Sequence, residues 1–131
     1  MYCKRPINSK RVRKIEGSFS WIDHRFVTSG FIRELSTLEI LLYFFLISVS
    51  DRNGISFYHD DRICSLLKID LFSLGRAREA LISRSLVAYD PPLYQVLSLP
   101  KRPLTLREDE VEKRGFKRKL GYIQKMKEVL K

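Results

Sequence analysis

The stretch Cys64-Ser-Leu-Leu-Lys-Ile-Asp-Leu-Phe-Ser-Leu-Gly-Arg-Ala-Arg-Glu-Ala-Leu-Ile-Ser-Arg-Ser-Leu86 decides the fold. Ile63, Cys64, Leu66 and Leu67 make the apolar face of a short helix that starts at His59 or Asp60. Asp60 and Asp61 suit the positive end of that helix. Asp70 can cap a second helix running to about Arg84, with Leu74, Ala77 and Leu81 at helical spacing. Gly75 inside it is unfavourable for a helix interior. The three residues between, Lys68-Ile69-Asp70, leave room only for a tight turn.

Outward from this pair, the chain reads as an ordered series of elements. Upstream, Ser36-Thr-Leu-Glu39 is a capping box, in which the serine hydroxyl accepts from the Glu39 amide and Glu39 reaches back. Behind it Leu38 and Ile40 to Val49 are apolar on nearly every side, which predicts a helix buried over most of its surface. Asp51-Arg-Asn-Gly54 turns the chain, and Ile55 to Tyr58 reads as a short strand. Further upstream, Asp23 caps a brief helical stretch that Gly30 ends, and Ser18 to Ile22 alternates in part, as a strand or an extended entry segment. Downstream, Leu86 to Asp90 and Leu93 to Leu99 are strand-like runs joined across Pro91-Pro92.

The 64–86 stretch resembles the helix-turn-helix of bacterial winged-helix DNA-binding proteins. Cys64 stands at the usual small residue, Leu67 at the apolar residue three later, Lys68-Ile69-Asp70 at the turn, and Ser73-Leu74 at the opening of the recognition helix. Ser85-Leu86-Val87 stands at the exit into the wing. With the preceding helix and the hairpin the resemblance spans residues 36–99. It looks closest to replication initiators and regulators carried by mobile elements. It implies an α+β, mainly α, winged helix-turn-helix with a two-stranded wing and an extra C-terminal helix. It further implies double-stranded DNA as partner, read in a major groove about 12 Å wide. Ser73, Arg76, Arg78, Glu79, Ser83 and Arg84 are the expected contacts of the recognition helix, and Arg76 leads them because its fork matches guanine O6 and N7. The alternative for Arg76 is a solvated charge paired with Glu79. Two positions depart from the pattern. Lys68 replaces the glycine of the left-handed turn. Leu71 and Phe72 occupy the tip, where they either tuck inward or form an apolar patch for a protein partner.

Charge is unevenly spread. The net is +10 over 131 residues. Residues 1–20 hold six basic residues against one acidic, residues 21–100 eight against nine, and residues 101–131 eleven against five. A neutral body with two basic tails makes the tails the phosphate-binding parts, since phosphate contacts dominate affinity for DNA. Residues 1–17 read as a flexible basic arm with Lys10, Arg11, Arg13 and Lys14 placed to follow a groove, 18–100 as the domain, and 101–131 as a linker and basic amphipathic helix. In the last segment Thr105-Leu-Arg-Glu108 is a second capping box, and Arg114, Lys117, Arg118 and Lys119 are further candidate DNA contacts. Phe116, Leu120, Ile123, Met126 and Leu130 make a one-sided seam that fits the body or a second copy, so a homodimer is one expectation. Charged tails that serve solubility alone are the plain alternative.

No enzyme pattern emerges. His24 and His59 belong to no catalytic or zinc motif, and the chain has no Gly-rich phosphate loop and no paired carboxylates at meaningful spacing. No catalytic residue, metal or cofactor is expected. Cys3 and Cys64 lie far apart in unlike settings, which fits a reducing, cytoplasmic location. The longest apolar run is about half a bilayer crossing, so no membrane partner is expected. Trp21 and the six tyrosines read as core and rim, with Tyr58, Tyr89 and Tyr94 as a cross-strand cluster. The rival to DNA reading is an adaptor that uses Leu71, Phe72 and the hairpin for protein contact while the tails hold nucleic acid loosely; RNA binding through the tails is a third option.

Overall fold

The computed structural model describes residues 4–104. The expectations for residues 105–131, among them Arg114, Lys117, Arg118, Lys119 and the seam Phe116, Leu120, Ile123 and Leu130, lie outside the described residues. The described part is α+β and mainly helical, with four helices and a three-stranded antiparallel sheet. In chain order these are α1 (Arg25–Thr28), α2 (Thr37–Val49), β1 (Ile55–Phe57), α3 (Asp60–Leu67), α4 (Leu71–Ser83), β2 (Val87–Asp90) and β3 (Leu93–Val96). None of these helices is long and apolar enough to cross a membrane.

The helix ends follow from their side chains. Asp23 accepts the Arg25 amide through Oδ1 at 2.8 Å and starts α1, and Gly30 closes it at φ +84°. Ser36 Oγ accepts the Glu39 amide at 3.3 Å, the first half of the expected capping box, while the Glu39 carboxylate takes the Ser36 hydroxyl in place of the Ser36 amide. Asp70 Oδ1 accepts the Ser73 amide at 2.6 Å and starts α4. The ends of α3 and α4 share one motif. Lys68 and Ser85 adopt left-handed φ of 58° and 59°, while Ile69 N donates to the Cys64 carbonyl and Leu86 N to that of Leu81.

The core lies where α2, α3 and α4 meet the sheet, and it centres on Leu42, Leu46, Ile63, Leu74, Leu81 and Tyr94. Burying each such aliphatic side chain contributes about 1.5–3 kcal/mol. α2 packs chiefly on α4, and Phe26 of α1 meets Tyr43 of α2 at a ring distance of 4.7 Å. Contrary to the expectation from its composition, α2 is buried on one face only. Leu42, Tyr43, Leu46 and Ile47 point inward, while Leu38, Leu41 and Phe44 remain about 40% exposed, because the described chain covers that side only in part, through Phe26 and the segment 13–22 beside Phe44.

The sheet order is β1-β3-β2, so the hairpin is not a free two-stranded wing. β3 pairs with β2 (Tyr89 opposite Tyr94) and with β1 (Ser56 opposite Tyr94). Gly54 makes the β1 pairing possible. Its φ is +82°, its carbonyl accepts from Val96 N at 2.8 Å, and a Cβ there would lie 2.5 Å from the Val96 carbonyl oxygen.

Candidate nucleic-acid interface

The three-residue connection at Lys68-Ile69-Asp70 swings α4 away from α3, and the inner face of α4 is fixed by Leu74, Ala77, Ala80 and Leu81. What remains outward is short. Leu71, Phe72 and Arg76 are exposed, and Ser73, Gly75 and Glu79 are half-buried. The Arg76 guanidinium carbon stands 5.9 Å from the centre of the Phe72 ring, so the cation and the aromatic form one surface. Leu71 is 62% and Phe72 74% exposed, which decides between the two sequence alternatives in favour of an apolar patch. Arg62 and Lys68, both exposed, add two cations to this two-helix unit. They were missed in the sequence, although Arg62 lies off the apolar face of Ile63, Leu66 and Leu67.

Three of the six expected recognition-helix contacts turn inward. Arg78 is 14% exposed at its side chain; its Nη1 donates to Asp60 Oδ1 at 2.7 Å and to the Tyr94 hydroxyl at 2.9 Å. Its guanidinium carbon also stands 4.4 Å from the centre of the Tyr89 ring. Burial works against this charge, but the Asp60 and Tyr94 bonds outweigh it and raise the arginine pKa. Arg78 therefore ties α4 to the first turn of α3 and to the hairpin, and its fork is occupied. Arg84, 16% exposed, lies 3.9 Å from carboxylate oxygens of Glu34 and Glu39 and donates to the Leu104 carbonyl at 3.3 Å. Ser83 is 3% exposed at the end of α4, where the chain doubles back into β2. The structure thus gathers Arg76, Ser73 and Glu79 with Leu71 and Phe72, and separates them from Arg78, Ser83 and Arg84.

The hairpin supplies little to an anion. Its tip is Asp90-Pro91-Pro92-Leu93, with Asp90 and Leu93 already paired, so it projects only two residues. It carries a carboxylate, and its prolines have no N–H to donate.

The basic arm has a different neighbourhood. Asn8 caps a single turn at Ser9–Arg11, and Lys10, Arg11, Arg13 and Lys14 are all exposed. Arg13, Ile15, Phe19, Ser20 and Ile22 line a cleft of about 340 Å³ with Phe44, Ile47 and Ser48 of α2, so the arm meets α2 here and not α4. Ser18 to Ile22 forms no strand, which leaves the entry-segment alternative. The hydroxyl of Ser20 turns in to donate to the Ser50 carbonyl at 3.0 Å, whereas Phe19 and Trp21 are 67% and 71% exposed. Trp21 is thus not a core residue. The four described tyrosines do behave as core and rim: Tyr43 and Tyr94 are buried and Tyr89 stacks on Tyr94 across the strands at 4.5 Å, whereas Tyr58, just past β1, meets Phe45 of α2 at 5.3 Å instead of completing the expected cross-strand cluster.

Titration behaviour marks packing. Burial, with Asp23 nearby, pushes the Tyr43 hydroxyl up to about 12, and burial, with Asp60 and Asp70 nearby, raises the Cys64 thiol. Among the described residues no group of three or more His, Cys, Asp or Glu could hold a metal ion. No protein-family model, curated protein or solved structure matches this chain.

Proposed function

We propose that the chain is a winged-helix protein that binds double-stranded DNA and acts in transcription control or in the replication or transposition of a mobile element. The element order α2-β1-α3-α4-β2-β3, with β1 added to the hairpin through β3, is consistent with that architecture. The observation that carries the reading is Arg76. It stands exposed on the outward face of α4, with Ser73 one turn before it and Glu79 one turn after, and Arg62 and Lys68 beside the turn. A solvent-exposed guanidinium fork on the outward face of a helix is the group best suited to guanine in a major groove. The neutral body leaves phosphate binding to the tails, so affinity should be steep in salt.

The test is anisotropy of the full chain against duplexes with a random core over a salt series, followed by sequencing of the retained fraction. The reading predicts an enriched motif, and Arg76→Ala should weaken binding to that motif by about tenfold or more while leaving non-specific binding almost unchanged. Failure to enrich any motif would contradict it.

The exposure of Leu71 and Phe72 favours a second reading, an adaptor that docks a protein on the tip of α4. On that reading Phe72→Ala abolishes partner binding and Arg76→Ala is silent.

A further inference from the structure

We infer that residues 10–22, together with Phe44, form a binding site for an unpaired nucleic-acid strand, separate from the α4 face. The inference rests on the arm and α2 alone and stands whether or not α4 reads duplex DNA. Two aromatic side chains, Phe19 and Trp21, are left two-thirds or more exposed at the entrance to the domain. The inward-turned residue between them, Ser20, is anchored by its bond to the Ser50 carbonyl, which holds this segment against the end of α2. Surface aromatics at that exposure have little to gain from water, and a nucleobase offers each of them a flat apolar face to stack on.

Two further observations point to a nucleic-acid strand as the occupant. The first is charge. Lys10, Arg11, Arg13 and Lys14 precede the aromatics, all exposed, with Glu16 the sole acid in residues 4–22. Cations followed closely by stacking groups match a strand that alternates phosphates and bases, whereas an apolar protein helix would leave the cations unmatched. The second is shape. The cleft bounded by Arg13, Phe19, Ile22 and Phe44 measures about 340 Å³. That is at the low end of the roughly 300–1,000 Å³ range of ligand pockets, and the cleft is open to solvent, so a planar ring can reach Phe19 and Phe44. Arg13 lines the cleft, where a base seated on Phe19 and Phe44 would bring its own phosphate. Stacking is indifferent to which base is present, so the site grips a strand without selecting a sequence.

The chain carries one tryptophan, so Trp21 emission reports this site in the full-length protein without any label. The probes are the 12-mers dT12 and U12 and, as a charge control without bases, linear inorganic polyphosphate of similar length. The inference predicts that dT12 or U12 quenches Trp21 and that polyphosphate does not. Four phosphate contacts predict a log–log salt slope of about −3, reduced by about 0.7 in Arg13→Ala. Phe19→Ala should weaken the 12-mers by roughly tenfold, with circular dichroism verifying that this exposed substitution leaves the fold intact. A stronger response to dT12 than to U12, or the reverse, identifies which strand the site prefers and supports it in either case. Trp21 emission that no 12-mer changes, or that polyphosphate changes equally, would overturn it, as would full affinity in a folded Phe19→Ala protein.

Discussion

Replacing Arg78 by alanine removes the strongest polar tie between α3, α4 and the hairpin. The wild-type side chain makes a 2.7 Å charge-assisted bond to Asp60, a 2.9 Å bond to the Tyr94 hydroxyl, and a 4.4 Å stack on Tyr89. A hydrogen bond between charged groups contributes about 2 kcal/mol, and a partly desolvated ring contact about 1 kcal/mol. Alanine also strands the Asp60 carboxylate, but at 31% side-chain exposure that group regains some water, which keeps the total at the low end of the roughly 3–5 kcal/mol seen for fully buried pairs. The predicted loss is therefore about 3 kcal/mol. With a urea m-value of about 1–3 kcal/mol/M, the unfolding midpoint should fall by about 1–3 M. Arg78→Lys keeps the charge but not the planar fork, and should lose about half as much. Urea titrations followed by circular dichroism at pH 7 measure both. A loss below about 1 kcal/mol for Arg78→Ala, together with a shallower salt slope in DNA binding, would refute this account and return Arg78 to the DNA-contacting face.

Further outcomes follow from single positions. Gly54→Ala should destabilise by about 2 kcal/mol or more, read as a lower urea midpoint, because it combines a left-handed φ with a Cβ 2.5 Å from the Val96 carbonyl oxygen. Lys68→Gly should stabilise by roughly 0.5–1 kcal/mol and raise the melting temperature, since Lys68 holds φ 58° at the end of α3 without the freedom of glycine. Asp70 is held below the usual carboxylate range, first by the Ser73 amide bond. Its stabilising effect is therefore complete at neutral pH and is lost as pH falls through its native value, below about pH 4. Asp70→Asn should flatten that part of the acid stability curve.

The parts of the fold visible in the sequence are those written locally. Ser36 with Glu39, Asp70 with Ser73, Gly30, and the paired prolines each act within a few residues, and each ends or turns an element where the spacing places it. The strand at Ile55 to Phe57 was legible, but its pairing with β3 joins residues about 40 apart, and no local signal says which strand it adds to. Composition makes α2 apolar all round, but it does not say which side the rest of the chain covers. The candidate site shows the same limit. Arg76 and Arg78 look alike in the sequence, yet Arg78 falls four residues after Leu74 and one after Ala77, on the flank of the inner face within reach of Asp60. That spacing was readable, and Asp60 in the first turn of the preceding helix was its partner in waiting. Ser83, two helical turns after Arg76, shares its side by spacing and is nonetheless buried, because the chain beyond α4 runs on into β2 there. Trp21, read with the tyrosines as core and rim, lies on the rim. Its exposure comes from Ser20 taking the inward position through a hydrogen bond that no hydrophobic pattern anticipates.

The most direct test of the central claim is an amide NMR titration of the labelled full chain with the duplex obtained by selection. The account predicts that the largest shifts fall on Leu71 to Glu79, with Arg62 and Lys68 beside them, and that Arg76→Ala removes the selectivity while the spectrum stays that of a folded protein. Shifts confined to the basic tails, with α4 unmoved, would contradict it.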